Sequence, residues 1–217
     1  MSKPVMLERI HLDAVTFASK DPGRYQIAGL QVNADGSTVA TNGHMLIRVP
    51  ASGLDSADFP AVDGAGDKPL PDAGVILPAD AVKATLKSLP KMGGRSGVGI
   101  PILTAAHCAM NGSDRVKVAV TDTDLESPNV AAIKPIEGQF PDYEQVIPTV
   151  TPESHITIGV DPAYLGAICD FTVKHGGRNP TLKIAFNRED GPNLPLVATF
   201  EDPECRNITI VLMPKRI

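Results

Sequence analysis

His107 and Cys108 stand side by side, and they are the first place to look for chemistry in this chain. A histidine next to a thiol suggests a nucleophile with its base, or two ligands for a soft metal. Their adjacency argues against both. Neighbours on a strand point to opposite faces, so the two side chains cannot meet at one atom there. No paired-cysteine spacing, no Gly-x-Ser-x-Gly and no His-Glu-x-x-His accompanies them. His11, His155 and His175 are isolated and read as structural or solvent-facing. Asp55, Asp58, Asp63, Asp67 and Asp72 crowd one stretch but lack the regular alternation of a calcium loop. The glycine-rich turn 93–99 lacks the Gly-Lys-Ser/Thr ending of a phosphate loop. The motifs therefore point to no enzyme, no metal and no cofactor.

What remains is surface chemistry in three places. Lys83, Lys87 and Lys91 fall one helical turn apart, a line of ammonium groups able to follow a phosphate backbone without reading bases. The C-terminal run Ile208, Ile210, Val211, Leu212 and Met213 is apolar almost to the last residue. Between residues 138 and 148, Pro141 and Pro148 bracket a stiff, extended connector that holds Phe140, Tyr143, Val146 and Ile147. In a chain with three Tyr, six Phe and no Trp, two aromatics in one connector mark a segment pinned to a core, or one wall of a groove.

The elements that must position these groups read as α+β. Residues 5–20 carry Ile10, Ala14, Phe17 and Ala18 at helical spacing, and Asp21-Pro22-Gly23 ends that helix. Residues 24–33 read as a strand; 37–41 and 45–49 form a hairpin across Asn42-Gly43. Residues 51–73 read as a solvated, mobile acidic loop. A strand at 74–78 leads into a helix that Asp80 can cap and that buries Val82, Leu86 and Leu89. Strands are expected at about 100–110, 115–121 and 128–135. A strand at 155–160 precedes a helix begun by Asp161-Pro162, with Leu165, Ile168, Cys169 and Thr172 inward and Gly176-Gly177 at its end. Strands at about 181–187, 194–200 and 207–213 follow. The order strand, helix, three strands thus recurs about three times, the first copy reduced.

Bulk properties set the class. The chain has 217 residues, 42% hydrophobic and 21% charged, enough for one large or two small soluble domains. A net charge of −5 argues against a protein that coats DNA, though not against a local basic track. Three scattered cysteines suggest reduced thiols, and residues 1–13 carry charges and no apolar signal core, so a cytoplasmic protein without a membrane span is expected.

Three separated motifs resemble one family. Residues 24–30 (RYQIAGL) followed by 39–46 (VATNGHML) look like the middle domain of the bacterial sliding clamp, the beta subunit of the replicative DNA polymerase. Residues 137–148 (EGQFPDYEQVIP) resemble the segment closing that domain, and 211–217 (VLMPKRI) resemble the clamp's last residues. By this resemblance, residues 1–149 correspond to the middle domain, and 150–217 to the second half of the last domain.

The resemblance implies a DNA clamp-like fold of repeated β-α-β-β-β units and a non-enzymatic processivity factor. Its partners would be duplex DNA, bound without sequence preference, the peptide tails of polymerases and of the clamp loader, and other copies of itself. A ring of about twelve such units, at about three per chain, points to a tetramer. Carried over by position, the peptide pocket would use Ile27, Thr41, Gly43, His44, Leu46, Pro141, Gln145, Val146, Val211, Met213, Pro214, Arg216 and Ile217. Leu and Phe anchors of an extended peptide would fill so apolar a slot. Phe140 and Tyr143 would then anchor the connector while Pro141 and Val146 face the slot. Gln145 stands where the family often has a basic residue, and Lys215 replaces an apolar one. The DNA-facing residues would be Lys83, Lys87, Lys91 and Lys174. A second possibility is a non-ring adaptor or decoy that keeps the peptide pocket without encircling DNA.

Overall fold

A computed structural model describes residues 3–90, 100–112, 114–122, 124–148, 157–178, 180–185, 195–201 and 207–214. It divides into two compact units, Met1–Tyr143 and Glu144–Ile217. Among the described residues there are three α-helices and three antiparallel sheets.

The first unit holds two successive repeats. One runs β1 (Val5–Leu7), α1 (Arg9–Asp13), β2 (Gly29–Val32), β3 (Thr38–Thr41) and β4 (Leu46–Val49). The other runs β5 (Val75–Pro78), α2 (Ala79–Ser88), β6 (Ala106–Met110), β7 (Val116–Val120) and β8 (Asn129–Ile133). The repeats exchange their first strands. The sheets are ordered β1-β6-β7-β8 and β4-β3-β2-β5, so each strand that precedes a helix pairs with the other repeat. Leu7 lies opposite Ala106, and Leu77 opposite Leu30.

Strand alternation builds three layers from this exchange. Val5 and Leu7, Leu30 and Val32, Val75 and Leu77, Ala106 and Cys108, and Val116, Val118 and Val120 all turn inward onto Leu12, Val15, Val82 and Leu89 of the helical layer. Full burial of each such Val or Leu contributes about 1.5–3 kcal/mol before chain entropy is counted. The helices pack on each other. Arg9 of α1 donates to the backbone oxygens of Leu86 (3.5 Å), Leu89 (3.1 Å) and Pro90 (3.4 Å), where α2 has run out of internal donors.

The outer sheet faces are covered too. Met6, Ala105 and Ala119 form a cluster with Phe59 and Ala65. Phe59 stacks on His107, centroids 5.2 Å apart. Residues 51–73 thus send Phe59, Ala65 and Leu70 into the interior, and Lys68 bridges Met110. An acidic composition hid those three apolar anchors. On the other sheet, Ile27, Val39, Ile76 and Phe140 pack together, joined by Leu46, Ile136 and Tyr143.

Several local expectations are corrected. Residues 5–20 begin with a strand, because Val5, Met6 and Leu7 are all buried and edge onto β6; Ile10, expected inward, is 59% exposed. Residues 22–27 form a 3-10 turn, not a strand, where the Asp21 carboxylate accepts from Gly23 N at 2.9 Å. The β3–β4 turn has four residues, since Thr41 pairs with Leu46. Asn42 Oδ1 accepts from the amides of His44 (2.9 Å) and Met45 (3.0 Å), so only Gly43, at φ +88°, adopts the left-handed region. Pro78, not Asp80, occupies the cap position of α2, and residues 101–104 form a 3-10 turn ahead of β6. His11 is buried: its Nδ1 accepts from the Glu8 amide (3.2 Å), and its Nε2 donates to Pro50 O (2.8 Å).

The second unit contains α3 (Pro162–His175) and the sheet β11-β10-β9, made of β9 (Lys183–Ala185), β10 (Leu196–Glu201) and β11 (Asn207–Leu212). Asp161 caps α3 by accepting from Ala163 N at 2.9 Å, and Pro162 follows at the first helical position. Ile168, Leu196, Ala198 and Leu212 form its core, with Ile158, Val160, Leu182 and Ile210 packed against it. Cys169, expected inward, is exposed. Residues 157–160 lie in no strand, and His155 and Ile156 lie outside the described residues, as do the glycine-rich turn 93–99 and the turns at 190–191 and 203.

Candidate functional site

On the first unit, the expected pocket residues meet on the β3–β4 hairpin and the sheet behind it. Thr41 Oγ1 donates to Met45 O (2.8 Å) and accepts from Gly43 N (3.1 Å). Together with the Asn42 bonds, this stitches the tip into one conformation and leaves His44 exposed on its rim. Arg24 braces the tip from outside: its Nη1 reaches Asn42 O at 3.5 Å, and a Cβ on Gly43 would sit 2.8 Å from that nitrogen. Ile27 and Leu46 join the cluster around Phe140, Ile27 being buried and Leu46 half-buried. Both belong to the apolar cluster on the sheet that Phe140 closes.

The connector divides its side chains as its composition suggests. Phe140 is buried and meets Tyr143 edge-on, with centroids 6.3 Å apart. Asn33 Nδ2 donates to the Tyr143 hydroxyl at 3.0 Å. Pro141, between these two anchors, is exposed. Two residues that sequence reasoning passed over belong to the same surface. Tyr25 is exposed, its ring edge 3.6 Å from where a Cβ on Gly138 would lie, and Met45 at the hairpin tip is also exposed. Tyr25 lies inside the first motif, and Met45 next to His44, so the signal was at hand.

On the second unit, Gln145 and Val146 sit in a 3-10 turn, Glu144–Val146, and Val146 is 68% exposed. Along β11 the side chains alternate: Leu212 enters the core, while Val211 and Met213 (62% exposed) stand on the open face, with Val197 opposite Val211. Pro214 is half-buried. Arg216 and Ile217 lie outside the described residues. An exposed Val and Met on one strand face make an apolar surface without a cover in the unit itself.

Of the four lysines expected to face DNA, three are described and all three are exposed. Lys83 and Lys87 are exposed on α2, and Lys83 Nζ lies 3.6 Å from the Asp80 carboxylate. Lys91 lies outside the described residues. Lys174 is exposed near the end of α3, between Val173 and His175. Arg9, one of two cations near the first helix, is taken up in holding the end of α2.

His107 and Cys108 do not converge. His107 turns out to Phe59, and burial lowers its pKa; Cys108 turns into the core, where burial pushes its thiol up to about 12. A thiol so placed stays protonated and is no nucleophile. Among the described residues no three His, Cys, Asp or Glu side chains gather as a metal site, and no helix is long and apolar enough to cross a membrane.

Compared with solved structures, the chain matches bacterial sliding clamps. It aligns with the Caulobacter crescentus beta sliding clamp at 17% identity and a TM-score of 0.61, covering 99% of this chain and 51% of that one. The beta subunit of Streptococcus pyogenes DNA polymerase gives 14%, a TM-score of 0.63, and 98% and 50% coverage. The Bacillus subtilis DNA polymerase sliding clamp gives 14%, 0.60, and 98% and 49%. The fold is therefore that of the sliding clamps, and the chain spans about half their length. No protein-family profile and no curated protein sequence matches it.

Proposed function

We propose that this protein is a non-enzymatic, clamp-like processivity factor. It binds the peptide tails of polymerases and of a clamp loader, and as an oligomeric ring it encircles duplex DNA without reading its sequence. The observation that supports this best is the alignment of 98% of the chain with a polymerase beta subunit at a TM-score of 0.63. The peptide-binding surfaces are assigned to the stitched hairpin and connector of the first unit and to the exposed Val211 and Met213 of the second. Both offer what an extended peptide with Leu and Phe anchors needs: an apolar bed beside fixed backbone.

The direct test is fluorescence polarisation with a labelled polymerase tail peptide carrying Leu and Phe. Met213→Ala is expected to weaken binding about five- to thirty-fold, the effect of removing one apolar anchor of about 1–2 kcal/mol. Because Met213 lies outside the core, the circular dichroism spectrum should not change. Unaltered affinity rejects the assignment.

A second reading is an adaptor or decoy that takes the same peptides without encircling DNA. It is favoured by α3, whose exposed residues include Tyr164, Phe171 and Val173, with Lys174 and His175 as its only basic side chains. Charge reversal separates the two. Changing Lys83, Lys87 and Lys91 to Glu should reduce retention on nicked circular DNA by an order of magnitude or more while sparing peptide binding. Equal retention, or none in the parent protein, leaves the adaptor.

A further inference from the structure

In the first unit every helix has a partner helix, and every strand that precedes a helix lies on the other repeat's sheet. Among its described residues the second unit holds one α-helix and three strands. We infer that it is half of a domain, and that two copies of the chain complete it symmetrically. Each copy lends residues 157–160 to the open edge of the other's β9, and the two α3 helices lie side by side.

The first unit is the template. β1 and β5 each stand just before a helix, and each pairs antiparallel with the first strand after the other repeat's helix. The corresponding parts of the second unit are residues 157–160, just before α3, and β9, just after it. Among the described residues, 157–160 pair with no strand, although Ile158 and Val160 touch the unit's core as Val5 and Leu7 do in the first unit, and β9 pairs only with β10.

Burial marks the vacancy. Ile184 of β9 lies opposite Ala198, which is buried under α3, and so belongs to the inner face. It is nevertheless 50% exposed. The inner-face residues at the same stage of the first unit, Leu30 on β2 and Cys108 on β6, are each 0% exposed, because a strand from the other repeat closes over them.

The helix says the same. α2 shows Asp80, Lys83, Lys87 and Ser88 to solvent. Between residues 162 and 175, α3 has only Asp170, Lys174 and His175 as acidic or basic side chains, and it exposes Tyr164 and Phe171 on one flank and Val173 on the other. Large apolar side chains on the flanks of a helix call for a neighbour to cover them. The occupant is a second copy because one unit carries both an unpaired segment and an open edge, the donor and acceptor that an isologous twofold interface requires.

Sedimentation equilibrium of the full chain across the micromolar range tests this, with hydrogen exchange on the same samples. The expected result is a concentration-dependent association. Val173→Asp, at an exposed position that leaves the core intact, should weaken it at least tenfold. The amides of residues 157–160 should gain protection as the protein associates. A chain that stays monomeric overturns the inference. So does an association that Val173→Asp leaves unchanged while those amides remain unprotected. A monomer would also remove the ring from the proposed function on which this inference builds, whereas an association that ignores Val173→Asp and leaves those amides unprotected overturns this interface alone.

Discussion

Phe140→Ala lowers the stability of the first unit by about 3–5 kcal/mol, the usual loss for a large aromatic removed from a core. Its ring closes the cluster of Ile27, Val39 and Ile76 and receives the edge of Tyr143. The buried ring and the Asn33–Tyr143 hydrogen bond fasten the connector to the sheet here. A drop of about 10 °C or more in the thermal midpoint is expected, with faster hydrogen exchange in β2 and β3. On the proposed function, peptide affinity should fall as well, because Pro141 and the cluster around Leu46 lose their fixed positions. A shift of only a degree or two would show that the connector is held elsewhere.

Gly29→Ala is the second large effect. A Cβ there would collide with Leu77 O and lie 3.1 Å from Ile136 Cδ1. The obstacle is backbone, which cannot rotate away, so β5 must move off β2. The cost is about 1–3 kcal/mol or more, and the amides of Val75–Leu77 should lose protection. Gly53→Ala is the control: a Cβ there meets nothing within 4 Å, and no measurable change is expected. Equal destabilisation at both glycines would remove the close strand approach as the cause.

What was legible in the sequence follows from where the signals are local. Asp161-Pro162 announced α3, and the residues of the 137–148 motif announced a pinned connector, because caps and prolines act through their own neighbours. β1 was missed because three buried residues in a row have no period to read, and their burial depends on β6. The anchors Phe59 and Leu70 were lost in an acidic stretch for the same reason. The resemblance to the clamps rested on short motifs, and the fold of the whole chain agrees with it. The lysine stripe was legible as a pattern, but Asp80 beside Lys83 shows that spacing alone does not measure a field.

The exchange of first strands also governs the order in which the chain can assemble. Val5 finds its place only against Cys108, about a hundred residues later, so neither repeat of the first unit can close its sheet before the other has been made. During synthesis, the open edge of β2 and the segment around Val5 would wait unpaired, exposed to wrong partners until β5 and β6 emerge. Such a unit should fold late, in one cooperative step, and truncations that stop before β6 should yield aggregating chains instead of a stable half.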